Sequence, residues 1–150
     1  MEVSIIAGST SDLDVIKSAE KYLEYFNLDY EIKVISAHRQ HDELVEYLKV
    51  KEQEIKVIIA CAGMAAHLPG VIASLTSLPV IGVPLDASPL NGKDALYSIL
   101  QMPKGVPVAT MAIGKPGVIN AIVYAAKIIA LQDSDMKARL AEFKEKGSKL

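Results

Sequence analysis

The residues best suited to chemistry in this chain are Ser36-Ala37-His38-Arg39, at the expected end of a parallel strand. His38 is one of three histidines, and Arg39 is one of two arginines, the other being Arg139. The remaining basic residues are lysines, so an arginine beside a histidine at a strand tip is not ordinary surface filler. A strand's carboxyl end is where open α/β sheets bind ligands. Histidine exchanges a proton near neutral pH, and the planar guanidinium fork suits phosphate or carboxylate. The pair therefore points to proton transfer on an anionic small molecule. The competing reading is a helix N-terminus with solvated side chains. His41 follows shortly after and reads as surface. No cysteine or acidic cluster completes a ligand set around the two histidines, so no metal is expected.

Two further loops carry candidate binding groups. Gly8-Ser9-Thr10-Ser11-Asp12 offers a glycine, three hydroxyls and a helix start, which together suit a phosphate. Asp12 would repel phosphate but can accept hydrogen bonds from ribose hydroxyls beside it. A plain helix N-cap explains the same residues without a ligand. The second loop, Ala62-Gly63-Met64-Ala65-Ala66-His67-Leu68-Pro69-Gly70, follows a fully apolar strand. Its small residues let backbone approach a ligand closely, and Pro69 suits a first helical turn. Such a pocket would hold a small uncharged molecule such as carbon dioxide away from water. The alternative is close helix–sheet packing with His67 as a satisfied core histidine.

The elements that must position these loops alternate between short β-branched runs and helical patterns, the signature of a parallel sheet covered on both faces. Strands are expected at Val3 to Ala7, Glu31 to Ile35, Val57 to Cys61, Pro79 to Val83 and Val106 to Ile113. Asp12 to Phe26 reads as one helix with Ile16, Ala19, Leu23 and Phe26 on a stripe. Further helices are expected at His41 to Glu52, Leu68 to Leu75, Asp94 to Gln101 and Pro116 to Leu131, with a charged C-terminal helix over 133–147. Pro84 to Lys93 reads as a long loop. The expected fold is α/β, a three-layer flavodoxin-like (Rossmann-like) domain over residues 1–150, its five-stranded parallel sheet ordered 2-1-3-4-5. That order puts the switch point between strands one and three.

Composition narrows the partners. Hydrophobic residues make up 51% and charged residues 23%, a globular balance. The net charge of -2 argues against nucleic acid or an anionic membrane surface, so an anion must be held by local groups. The single cysteine, Cys61, excludes an internal disulfide and reads as core. The first residues run straight into a strand without a cleavable apolar segment, and Val118 to Leu131 is too short to span a bilayer. The expected location is the cytoplasm. Along Val118 to Leu131 only Asn120, Tyr124 and Lys127 are clearly polar, which suggests a helix packed on the sheet on one side and on another subunit on the other.

Six motifs, in order, resemble the N5-carboxyaminoimidazole ribonucleotide mutase family, the bacterial-type catalytic subunit of phosphoribosylaminoimidazole carboxylase. They are G-S-x-S-D at Gly8 to Asp12, S-A-H-R at Ser36 to Arg39, A-G-x-A-A-H-L-P-G at Ala62 to Gly70, P-V-I-G-V-P at Pro79 to Pro84, S-I-x-Q-M-P at Ser98 to Pro103, and P-V-A-T at Pro107 to Thr110. The resemblance implies an isomerase of purine biosynthesis that moves a carboxylate from an exocyclic nitrogen to ring carbon C4. His38 would be catalytic, donating a proton to the departing nitrogen and later removing the C4 proton. Ser9, Ser11 and Arg39 would hold the phosphate and Asp12 the ribose, with Ser36, Gly63, Ala66, His67 and Leu68 completing the substrate site. No cofactor is implied. A homo-octamer is, with Ser98 to Pro103 reaching a neighbouring site. Departures from the family pattern are Gln40 and His41 for Thr-Pro, Met64 for a common glycine, and Ala95 for a frequent serine.

Other functions remain as alternatives. Related direct carboxylases have lysine after the histidine and lack the A-A-H-L-P-G segment, so Arg39 and His67 favour the mutase class over direct carboxylation of 5-aminoimidazole ribonucleotide. A phosphate-switched receiver needs an aspartate at the end of strand three, where this chain has Ala60-Cys61-Ala62. A flavin carrier would stack its ring on aromatics, which are only 5% of this chain, with no Trp.

Overall fold

A computed structural model describes residues 1–150. Five strands form one parallel sheet in the order β2-β1-β3-β4-β5: β1 Val3–Ala7, β2 Tyr30–Val34, β3 Val57–Gly63, β4 Val80–Leu85 and β5 Ala109–Thr110. The helices are α1 Leu13–Lys17, α2 Glu20–Tyr25, α3 His41–Lys51, α4 Leu68–Leu75, α5 Lys93–Leu100, α6 Lys115–Ile129 and α7 Ser134–Glu145. The layered α/β fold and its strand order are as the sequence implies.

The apolar character of the central strands follows from the two-residue period of the pleat. Val3, Ile5 and Ala7 of β1 and Val57, Ile59 and Cys61 of β3 point into one core, shared with Ile16, Ala19, Leu23 and Phe26 and with α6 and α7. Ile6, Ile58, Ala60 and Ala62 point into the other, shared with Leu44, Leu48, Leu68, Ile72, Ala95 and Ile99. Every residue of β1 is buried because both faces are covered. Ser4 is the one polar side chain there, and its hydroxyl is satisfied 2.6 Å from the Tyr47 hydroxyl, which donates to Glu31 Oε1 at 2.7 Å. Burial is the main cause that raises the Tyr47 pKa, with Glu31 adding to it against the hydrogen bond from Ser4.

Three elements depart from expectation. The helix foreseen from Asp12 to Phe26 is broken at Ser18 and Ala19 into α1 and α2, after a 3-10 turn over Thr10–Asp12. At the break the Ser18 hydroxyl donates to Val15 O at 2.7 Å, and the Ala19 N–H reaches Ile16 O at 3.0 Å, tightening the turn. The apolar stripe itself stays buried across the break.

Strand five, foreseen over Val106 to Ile113, is reduced to Ala109–Thr110, paired with Ile81 and Gly82. Pro107 has no N–H to give the ladder, and Val106 turns back to Pro103 O at 3.2 Å. Conversely, β4 runs through Pro84 where a loop was expected. Pro84 lies beyond the last β5 partner, so its missing N–H interrupts no ladder bond, and its carbonyl accepts the Gly114 N–H at 2.8 Å.

The outer side of α6 also differs from the sequence picture. Its sheet face buries Gly117, Val118, Ala121, Ile122, Ala125, Ala126 and Ile129. Ile119 and Val123 are half-buried beside Leu140 and Phe143, so the chain's own α7 covers much of the side expected to meet another subunit. Asn120, Tyr124 and Lys127 remain exposed. No helix is long and apolar enough to cross a membrane.

Gly82 lets α4, α5 and the residues before β5 close on β4. A Cβ there would lie 2.5 Å from Ile99 Cγ2, 2.8 Å from Val108 Cγ1 and 3.3 Å from Pro69 Cβ. Gly82→Ala is expected to lower the unfolding free energy by about 1–3 kcal/mol through overpacking. Equilibrium denaturation checks this, and an unchanged midpoint would mean that the three elements can separate freely.

Candidate active site

Strands β1, β2 and β3 end nearly level, with Ala7 paired to Val34 on one side and to Cys61 on the other. The three loops that follow therefore start at the same sheet edge. They enclose a cavity of about 440 Å³, completed by Ala87 from the β4–α5 loop. Of the candidate residues, Ser9, Ser11, Asp12, Ser36, His38, Arg39, Gly63, His67 and Leu68 all line it. Ala66 does not. It is buried in the core beneath α4, because its side chain turns toward the helix–sheet contact.

The β1 loop is wired by its own side chains. Ser9 Oγ accepts from the Ser11 N–H at 3.3 Å and from the Ser11 hydroxyl at 2.9 Å. Asp12 Oδ2 accepts the Ser9 N–H at 3.1 Å, closing a reciprocal capping box. The N-cap role weighed for this loop is thus present, and the same residues face the cavity. Burial pushes the Asp12 carboxyl above its ordinary value, against the opposing hydrogen bonds from Ser9 and Ser11.

The β2 loop is held by Gln40. Its side-chain Oε1 accepts the Ser36 N–H at 3.1 Å, its own N–H donates to Ser36 O at 2.8 Å, and its Nε2 donates to Glu43 at 2.8 Å. This clasp leaves His38 and Arg39 exposed at the cavity. Arg39 takes part in none of the ion pairs of the fold, so its guanidinium is free for an external anion. His41 lies exposed on the first turn of α3 and does not line the cavity.

The feature the sequence did not foresee is a contact between two histidines. His38 Nε2 lies 2.7 Å from His67 Nδ1, with the rings edge to face at 78°. Of the two readings of His67, the core histidine is not the one observed: it is exposed and lines the cleft. One nitrogen must donate and the other accept, so the two imidazoles are joined by a single N–H···N hydrogen bond. The contact bridges the ends of β2 and β3 across β1, and nothing in their sequence separation signals it.

The other lining residues are small or backbone-like: Gly8, Ala37, Ala62, Ala65 and Ala87. A Cβ on Gly63 would stand 2.8 Å from Ala87 Cβ, so the floor of the cleft allows no side chain there. Met64 is the exception, a long apolar residue at φ 55°. No group of three or more His, Cys, Asp or Glu side chains converges to hold a metal. Burial, with a smaller contribution from Asp12, raises the Cys61 thiol far above its ordinary value, which keeps it a core residue and not a nucleophile.

Comparison with known proteins converges on one family. The family described as AIR carboxylase matches residues 2–149. The chain belongs to the AIR carboxylase family. Among its relatives in that family, N5-carboxyaminoimidazole ribonucleotide mutase of Thermotoga maritima is 53% identical over 145 residues, covering 96% of this chain and 84% of that protein. The Bacillus subtilis protein of the same name is 54% identical over 144 residues, covering 95% and 89%. A crystal structure of Treponema denticola PurE superposes with a TM-score of 0.88 at 28% identity, covering 97% of this chain and 90% of that one. In this member of the AIR carboxylase family, then, the cleft lies at the carboxyl ends of the strands of the shared fold.

The Asp12 environment carries a signed pH expectation. Because folding raises its pKa, the native state holds that proton more tightly than the unfolded chain does. Its contribution to stability is therefore most favourable in acid and declines as pH rises through the raised value. Asp12→Asn keeps an oxygen that can accept the Ser9 N–H and removes the titration. The variant's stability relative to wild type should improve between about pH 4 and about pH 7. Denaturation curves at both pH values test this, and a relative stability that falls over the same interval would reverse the assigned direction.

Proposed function

We propose that this protein is an isomerase of purine biosynthesis, converting 5-(carboxyamino)imidazole ribonucleotide to 4-carboxy-5-aminoimidazole ribonucleotide. The observation that carries the reading is the His38–His67 pair in a cleft that also presents the Ser9 and Ser11 hydroxyls and the unpaired Arg39 guanidinium. The curated mutases at about half identity over nearly the whole chain support it. The same relatives make direct carboxylation the disfavoured alternative.

In this reading Ser9, Ser11 and Arg39 hold the 5′-phosphate, and Asp12 accepts a ribose hydroxyl. Ser36, Gly63 and Leu68 shape the wall, and His67 holds His38 in one orientation and tautomer. His38 enters as imidazolium and gives its proton to the exocyclic nitrogen as the N–C bond breaks, the bonding pair returning to nitrogen. Carbon dioxide and 5-aminoimidazole ribonucleotide result. The electron-rich C4 then attacks the carbon of carbon dioxide, and neutral His38 takes the C4 proton as the ring regains aromaticity. The proton lent is the proton recovered, so one imidazole serves both steps and neither step draws on an outside oxidant or reductant. Holding carbon dioxide against C4 replaces an encounter from solution with an intramolecular step.

His38→Asn should lower kcat by about 10²–10⁴-fold while leaving the fold intact. The assay follows each candidate substrate in turn: the carboxyamino nucleotide, and 5-aminoimidazole ribonucleotide with bicarbonate. Near-normal turnover in the variant would refute the proton-transfer role. Efficient use of the second substrate with none of the first would instead establish direct carboxylation.

The reading extends to a single cytoplasmic domain acting as a homo-octamer. Leu90, Tyr97 and Leu100 are 60%, 65% and 50% exposed around α5, an apolar surface that assembly would cover. The Ser98 to Pro103 segment contributes Leu100 to this surface, with Met102 tucked against Gly70 of the same chain. Light scattering across a dilution series should give eight times the subunit mass, with activity lost as the assembly dissociates. A fully active monomer would end this part of the reading.

A further inference from the structure

Four residues other than glycine have positive φ: Asn27, Met64, Asn91 and Ser148. Asparagine tolerates the left-handed region because its short polar side chain can bond locally, and Ser148 lies beyond the last helix. Met64 has neither excuse. Its long apolar side chain gains nothing locally from φ 55°, yet it is held there between β3 and α4. It is also the only one of the four that lines the cleft, where it is 59% exposed. Backbone strain of this kind persists where surrounding structure imposes it, and it gathers at functional sites.

The surroundings say what the side chain does there. Gly63, the preceding residue, is pressed against Ala87, so the β3 and β4 loops meet at this wall with no bulk of their own. Ala65 and Ala87 are exposed and too small to close the opening. Met64 is the only large apolar residue on this rim, and His67 stands three positions further along the same loop. An unbranched thioether is flexible enough to lie over a ligand of irregular shape.

We propose that Met64 is the apolar cover of the cleft, which keeps carbon dioxide beside the nucleotide between its release from nitrogen and its capture by C4. The inference rests on the mutase reading above. Carbon dioxide is small, uncharged and offers little to hydrogen-bond, so apolar cover slows its loss by exclusion. Met64 would then set how faithfully the two half-reactions are coupled, by exclusion and not by any proton or charge.

The test measures coupling. Purified wild type, Met64→Gly and Met64→Leu are given the carboxyamino nucleotide in buffer containing labelled bicarbonate and carbonic anhydrase. Released 5-aminoimidazole ribonucleotide is measured per carboxylated product, corrected for breakdown without enzyme, together with label entering the product. Met64→Gly should fold with an unchanged or higher melting temperature, because glycine occupies positive φ without strain. It should release at least several-fold more 5-aminoimidazole ribonucleotide per product and incorporate correspondingly more label. Met64→Leu, which keeps apolar bulk, should stay close to wild type. Wild-type coupling in Met64→Gly overturns the inference and leaves the mutase reading standing. Equal uncoupling in both variants also overturns it, since bulk would then not matter. A wild-type protein that converts none of the carboxyamino nucleotide overturns the mutase reading and this inference together.

Discussion

Everything at the cleft depends on the parallel ladder that seats β1 between β2 and β3. Parallel pairing makes each strand end at the same sheet edge, and the register brings Ala7, Val34 and Cys61 level. Residues far apart in sequence are thereby delivered to one place without any contact between their own strands. His38 follows β2 and His67 follows β3, and these strands are never neighbours. Their imidazoles meet across the single strand that separates β2 from β3. The 2.7 Å contact is a consequence of strand order before it is a consequence of side-chain chemistry.

Around that frame the site is built largely from backbone and small side chains. Gly63 against Ala87 leaves no room for a methyl group, and Ala37, Ala62 and Ala65 bring the chain itself to the cavity wall. Such a wall leaves the space of the cleft to a ligand. The polar groups that remain are tied down in advance: Ser9, Ser11 and Asp12 by their capping box, Ser36 by the Gln40 clasp. The Arg39 guanidinium is in none of the ion pairs of the fold, which is the electrostatic state expected of a group that awaits an anion.

The same economy has a cost in stability. A buried carboxylate at Asp12 with a raised pKa and a methionine held at positive φ each work against folding. The sheet offsets them. Its central strands bury both faces, and even Ser4, the polar residue within β1, finds a partner in Tyr47. Local unfavourable choices are concentrated at the edge of the sheet where the ligand would sit, and the favourable ones lie beneath it.

Sequence by itself determined the architecture, because hydrophobic periodicity is a local property. Strand β3 is apolar throughout and β1 is apolar but for Ser4, as burial of both faces requires, and the stripe Ile16, Ala19, Leu23 and Phe26 is buried as its spacing implies. The three loops of the cleft were legible too, since strand order alone dictates which loops share an edge. Properties that depend on partners distant in sequence were not legible. Strand five shrank to two residues because Pro107 and its edge position withhold ladder bonds. The long first helix broke where the Ser18 hydroxyl competes for a backbone carbonyl. Ala66 looked like a site residue by its place in a motif and proved to be core, because which way a loop side chain points is decided by what packs behind it. The side of α6 expected to meet another subunit shares a groove with the chain's own α7, lined by Ile119, Val123, Leu140 and Phe143. The His38–His67 contact and the Gln40 clasp belong to the same class: a sequence names the groups, but only chain packing sets the distance between them.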